Sequence, residues 1–153
     1  MISEKVFKKC LDNGITMAFA ESMTGGALTY EMVKYPNASK VVIGSIISYQ
    51  RQIKEQLLNV DPKIINQYNI VSKEVSKQMV MGIYSQTKAD LCISITGNAG
   101  PTYQKDTHKL EAYITLLYQG EFLDYHINFS NQERENNIGE AIDFIYKKVN
   151  KII

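Results

Sequence analysis

Tryptophan is absent from the 153-residue chain, and cysteine, histidine, arginine and proline are all scarce. Cys10 and Cys92 are the only cysteines, far apart, which excludes a disulfide framework and a C-x-x-C metal knuckle. His108 and His126 are the only histidines, so a His-rich metal site is excluded and a Ser–His–Asp triad would need one of these two. No Cys/His/carboxylate set has metal-ligand spacing, and neither a metal nor another cofactor is expected. Neither sign of charge dominates: 17 Lys plus Arg against 16 Asp plus Glu leave a net +1. That disfavours a nucleic-acid binder built on phosphate neutralisation and a polybasic membrane anchor. No apolar run approaches the ~20 residues of a transmembrane helix. Glu4, Lys5, Lys8 and Lys9 interrupt the N-terminus, so no secretory leader is read there and a cytoplasmic location is expected. Arg51 and Arg134 are the only arginines among many lysines.

What remains is the profile of a globular protein, 44% hydrophobic and 22% charged, of a length suited to one domain over 1–153. The pattern alternates helix and strand. Ser3 is expected to cap a first helix with Val6, Phe7, Cys10 and Leu11 on one face, ended by Asn13-Gly14. Ile15–Ala20 reads as a buried strand, and a helix follows Gly26 to about Tyr35, before Pro36. Val41–Tyr49 is a second strand. Arg51–Leu58 is helical, with Ile53, Leu57 and Leu58 at core spacing. Asp61-Pro62 opens a short helix. Ser72 caps a longer one to about Lys88, burying Val75, Met79, Val80 and Ile83. Leu91–Thr96 is a third strand, and Gly97–Lys109 is a loop. Leu110–Tyr118 and Glu121–Phe129 form a hairpin about Gln119-Gly120. The last helix runs from about Gln132 to Val149, with Ile138, Ala141, Ile142, Ile145 and Val149 on its stripe. The expected fold is a three-layer α/β/α sandwich whose mixed sheet of about five strands ends in an antiparallel hairpin.

In open α/β sheets, ligands collect beyond the carboxyl ends of the strands. Three segments fall there. In the first, Glu21–Gly26, a strand turns into a helix. The helix start suits an oxyanion or phosphate, Gly25 and Gly26 permit close approach, and Ser22 faces the crevice. The plain alternative is that Ser22 or Thr24 caps the helix. In the second, Tyr49 ends a strand and Lys54 lies near the start of the next helix. An exposed lysine there is simply solvated. Beside Ser22 and buried, its pKa falls from about 10.4 and it becomes a base for the hydroxyl, the Ser–Lys form of nucleophilic catalysis. The third, Thr96–Pro101, is a glycine-containing turn that either nests an anion or simply leaves the strand. It matches neither the P-loop nor the dinucleotide fingerprint. His108 reads as an exposed loop residue, His126 as a packed or edge strand residue rather than a ligand, and both cysteines as core.

In this order and at these intervals, the segments resemble the CinA C-terminal domain family. Ala20-Glu21-Ser22-Met23-Thr24-Gly25-Gly26 is similar to its A-E-S-C-T-G-G, and Tyr49 with Lys54 to its Y-S-N-x-x-K. Leu57–Val60 and Val71-Ser72 echo L-L-G-V and A-V-S, and Thr96–Pro101 is similar to T-G-I-A-G-P. The resemblance covers most of the chain and is strongest from Ala18 to about Pro101. It implies deamidation of nicotinamide mononucleotide to nicotinate mononucleotide and ammonia. It gives Ser22 the role of nucleophile, Lys54 that of general base, and Tyr49 that of a hydrogen-bonding partner orienting the pair. Amides around Thr24, Gly25 and Gly26 are candidates for the oxyanion site, and the Thr96, Gly97 and Gly100 turn for the phosphate or ribose. Met23 replaces the family's cysteine and has no nucleophilic chemistry, so an active enzyme must rely on Ser22. A homo-oligomer, in its simplest form a dimer, is implied by the family alone.

Two departures stand out. Residues 102–111 lack the glycine-rich stretch and P-V-G of the family. Phe129–Arg134 keeps a Phe and an Arg of F-x-G-D-R with altered spacing, leaving Arg134 as either a phosphate ligand, within or across a subunit interface, or a surface arginine opening a helix. The expected form is stand-alone, without the separate N-terminal domain of some members. Two alternatives accompany the amidase reading: a catalytically lapsed nucleotide- or partner-binding domain, and an amidase for another amide.

Overall fold

Met17–Glu21 (β1) and Leu91–Gly97 (β3) are buried along their whole length, as central strands covered on both faces must be. A computed structural model describes residues 1–130 and 133–153. The two strands lie side by side and parallel in a five-stranded sheet of order β2-β1-β3-β4-β5. β2 (Val42–Ile47) pairs parallel with β1 at one edge. β4 (Glu111–Tyr118) and β5 (Glu121–Asn128) extend the other side antiparallel, joined by Gln119-Gly120, both at positive φ as a two-residue hairpin turn needs.

Side-chain alternation assigns the two faces. Met17, Phe19, Leu91, Ile93, Ile95, Ile114 and Leu116 point to one core. It is covered by α1 (Ile2–Asn13), α2 (Ala27–Val33) and α6 (Arg134–Ile152). Tyr146 of α6 is fully buried there, and its hydroxyl donates to the Leu28 carbonyl. Ala18, Ala20, Cys92 and Leu117 point to the opposite core, under α3 (Arg51–Leu58), α4 (Pro62–Tyr68) and α5 (Lys73–Thr87). The small β1 side chains let that layer sit close. At Gly82 in α5, an added Cβ would lie 2.1 Å from the Leu58 carbonyl oxygen, so the two helices meet backbone to side. The three-layer mixed α/β sandwich expected from the sequence is thus the fold.

Local signals hold where their partners are local. The Asp61 carboxylate accepts from the Lys63 amide with Pro62 at the first helical position, and the Ser72 hydroxyl accepts from the Val75 amide. Four expectations change. Ser3 is not a cap: α1 begins at Ile2, and Ser3 is buried with its hydroxyl 3.2 Å from Tyr35 Oη. α2 ends at Val33 rather than Tyr35. β2 ends at Ile47 rather than Tyr49, because the carbonyls of Ser48 and Tyr49 turn toward Lys54. On α3 the inward positions are Lys54 and Leu58, while Leu57 is exposed. The expected start of the last helix at Gln132 lies outside the described residues, and α6 is helical from Arg134 to Ile152, with Asn137 and Tyr146 joining its buried stripe. No helix among the described residues is long and apolar enough to cross a membrane.

Candidate active site

The carboxyl ends of β1, β2 and β3 deliver the three sequence segments to one end of the sheet. Ser22 follows β1 directly, and Lys54 reaches it from the first turn of α3. Lys54 Nζ lies 2.8 Å from Ser22 Oγ. Lys54 is 0% exposed and Ser22 2%. The other neighbours of Nζ are the main-chain carbonyls of Ser48, in a short bond, and of Tyr49 at 3.4 Å. Among the described residues the lysine has no salt-bridge partner, and burial lowers its pKa from 10.5 to about 8.

This coordination has a directional consequence. Carbonyl oxygens only accept, so in the neutral amine the two N–H bonds go to Ser48 and Tyr49. The lone pair is then left for the Ser22 hydroxyl. The ammonium satisfies the same geometry by donating to all three. The site therefore accommodates a proton moving between Ser22 and Lys54 without rearrangement.

Glu21 is the residue that sequence reasoning missed. It is 0% exposed and anchors the start of α2. Its Oε1 accepts from Thr24 Oγ1 at 2.6 Å, Gly26 N at 3.0 Å and Leu28 N at 3.1 Å. Its Oε2 accepts from Thr29 N at 2.8 Å and from the Thr29 hydroxyl. The buried carboxylate thus takes the place of a side-chain cap and sits against the positive end of the helix. Neither Ser22 nor Thr24 caps α2, which leaves the Ser22 hydroxyl for Lys54. The signal is an acid at the end of a strand, six positions before a helix starts at Ala27. It was read only as part of the turn.

This anchoring also bears on the oxyanion candidates. The Gly26 amide is taken by Glu21, and the Gly25 amide donates to the Ser22 carbonyl at 3.0 Å. Of the three amides considered, that of Thr24 is the one not engaged in these bonds. Thr96 and Gly97 also make packing contacts. Thr96 Oγ1 donates to the Ile70 carbonyl. A Cβ at Gly97 would lie 2.5 Å from the Glu111 carbonyl oxygen and 2.7 Å from Met23 Sδ. Gly97 is therefore what lets the third segment pack against the serine turn.

Tyr49 contributes differently from expectation. Its carbonyl, not its hydroxyl, faces Lys54. The hydroxyl accepts from Arg134 Nη2 at 2.5 Å, while Arg134 Nη1 donates to the Gly100 carbonyl at 2.9 Å. Arg134 thus joins α6, the third segment and Tyr49 within one chain. These residues line a cavity of about 430 Å³ together with Gly97, Asn98 and Pro101. A second, of about 710 Å³, lies on the α3–α4 side and shares Tyr49 and Gln104 with the first.

Asn98 was also missed. It stands where the resembled motif has isoleucine, and it organises the loop that departs from the family. Buried at 2% exposure, its Nδ2 donates to Thr107 Oγ1 and the Lys109 carbonyl, and its Oδ1 accepts from the Gln104 amide. His108 is exposed, as expected. His126 stacks on Tyr113 and pairs with Glu111, away from the dyad.

Fold and site together define a three-layer α/β protein in which a buried, carboxylate-free lysine is bonded to a serine at the strand ends. The CinA C-terminal domain family matches residues 1–153, and the chain belongs to that family. A CinA-like protein of Thermotoga neapolitana is 33% identical over 129 residues, 84% of this chain and 32% of its own length. A putative competence-damage inducible protein of Alkaliphilus metalliredigens is 32% identical over 99% of this chain and 38% of its own length. The chain thus spans about a third of the length of these curated relatives. The crystal structure of a CinA superfamily protein from Klebsiella pneumoniae 700603 superposes with a TM-score of 0.93 at 20% identity, over 98% of this chain and 94% of that one. One from Escherichia coli gives 0.93 at 21%, over 99% and 88%. At these identities the two structures establish the shared fold.

Proposed function

We propose that the chain is an amidohydrolase that deamidates nicotinamide mononucleotide through Ser22 and Lys54. The observation that carries this reading is the 2.8 Å contact of a fully buried lysine amine with a serine hydroxyl, with no carboxylate to hold the amine charged. Burying a lysine in that setting costs stability, and such costs cluster at functional sites.

The steps follow from the groups present. The lone pair of Lys54 takes the Ser22 proton as Oγ attacks the carboxamide carbon, giving a tetrahedral oxyanion. The Thr24 amide is the donor proposed for it. Lys54 returns the proton to the amide nitrogen, ammonia leaves, and an acyl ester remains on Ser22. Lys54 then takes a proton from water, the resulting hydroxide attacks the ester, and the proton returns to Ser22 Oγ as nicotinate mononucleotide departs. Among the described residues Arg134 is the only charged one lining the smaller cavity, and the phosphate is proposed to lie against it and the Gly100 turn.

The test is release of ammonia and nicotinate mononucleotide in equal amounts from nicotinamide mononucleotide. The wild type should turn over and Ser22→Ala should not, while still binding the nucleotide. Binding without turnover by the wild type would favour the lapsed binding domain. Turnover of another amide alone would transfer the mechanism to that substrate.

A further inference from the structure

Neither Ser22 nor Lys54 lines the larger cavity, which shares Tyr49 and Gln104 with the smaller one. Its walls carry two cations, Arg51 and Lys105, and two anions, Glu55 and Asp106. Arg51 is already bound to Glu55 at 2.7 Å, and its guanidinium also donates to the Pro62 carbonyl. Lys105 and Asp106 are adjacent in the chain. The lining is therefore charge-balanced, unlike the smaller cavity with its single arginine, and it gives an anion no net attraction.

The remaining lining is suited to a flat ring. Ile65 and Ile70 supply an apolar floor, Tyr49 an aromatic side chain, and Gln52, Asn66 and Asn69 amide edges. Side-chain amides pair a donor and an acceptor in the spacing that reads the edge of a purine, and an aromatic surface stacks on its face. Gln104 stands at the seam with the smaller cavity, and its main chain is held there by the buried Asn98. At about 710 Å³ the space falls within the ordinary range of ligand sites.

We propose that this cavity is a subsite for a neutral heteroaromatic base, of the purine nucleoside class, beside the dyad. Its relation to a mononucleotide substrate rests on the amidase reading, but its occupancy does not. The shared chemistry is the base, carried either by a free nucleoside or by a dinucleotide that also carries the pyridine amide.

Calorimetry on the full chain, with adenosine as probe and ribose 5-phosphate as the baseless control, tests the subsite without reference to turnover. Adenosine should bind saturably and ribose 5-phosphate should not compete with it. Asn66→Trp, at an exposed helical position, fills the cavity and should abolish adenosine binding. Gln104→Ala should weaken it at least fivefold. If both sources are available, a dinucleotide joining the pyridine and purine nucleosides binds more tightly than either half only when one ligand spans both cavities. If adenosine binds and ammonia is not released from nicotinamide mononucleotide, the subsite stands and the amidase reading falls. If adenosine fails to bind, or binds Asn66→Trp as tightly as the wild type, the subsite is overturned, whatever the amidase assay gives.

Discussion

Replacing Lys54 with methionine should leave stability at neutral pH almost unchanged while removing the chemistry. Methionine has nearly the shape of the lysine stem and no charge. Lowering the lysine pKa from 10.5 to about 8 corresponds to about 3 kcal/mol of unfavourable burial at neutral pH. Against this, the Ser48 and Tyr49 carbonyls and the buried Ser22 hydroxyl each lose their partner, at about 1 kcal/mol each. The two sides nearly cancel near pH 7, leaving about 0–1 kcal/mol, or at most about 4 °C in Tm for a chain of this size. The balance then shifts with pH. The folded pKa lies below the unfolded one, so the wild type carries the full penalty below about pH 8 and sheds it as pH rises toward 10.5. Wild-type stability should climb through that window, the variant's should lack that rise, and the wild type should become the more stable. Urea denaturation of both proteins at pH 7, 9 and 10.5 reads this directly. A variant less stable by more than about 2 kcal/mol at pH 7, with a difference that does not change with pH, would show that Lys54 is a structural ammonium and refute the reasoning.

Other outcomes follow from the same geometry. Because the neutral amine is the base, log kcat/KM for the amide should rise with pH and level off near 8, and a flat profile between pH 6 and 9 would remove Lys54 from that role. Glu21→Gln turns a donor toward main-chain N–H groups that require acceptors, and should cost about 2–4 kcal/mol in denaturant titrations with protection of α2 amides lost in hydrogen exchange. Arg134→Ala should raise KM more than it lowers kcat, since Arg134 holds Tyr49 and Gly100 and does not touch the dyad.

The fold was legible where local chemistry decided it. Asp61-Pro62, Ser72 and Gln119-Gly120 each act through neighbours within three residues, so the elements they bound appear in the sequence as they do in space. Ser3 failed as a cap because its partner, Tyr35, is 32 residues away. On α3, hydrophobic spacing named Ile53, Leu57 and Leu58; Leu58 is buried, but Lys54 turns inward and Leu57 is exposed. A site that needs a desolvated amine breaks the apolar pattern that would have revealed the buried face. The dyad itself was suggested by residue types and resemblance, since nothing in the spacing of positions 22 and 54 fixes a 2.8 Å contact. Glu21 and Asn98 were hidden for the opposite reason. An acid before a helix and an asparagine after a strand are ordinary turn residues, and only burial shows that one holds a helix start and the other a loop.

The central claim is that Ser22 carries the acyl group. Acid quench of the wild type during turnover of nicotinamide mononucleotide, followed by peptide mass spectrometry, tests it most directly. The account predicts a nicotinoyl-nucleotide ester on the peptide containing Ser22, absent from Ser22→Ala, which releases no ammonia. Undiminished ammonia release by Ser22→Ala, with no adduct on the wild-type peptide, would contradict it.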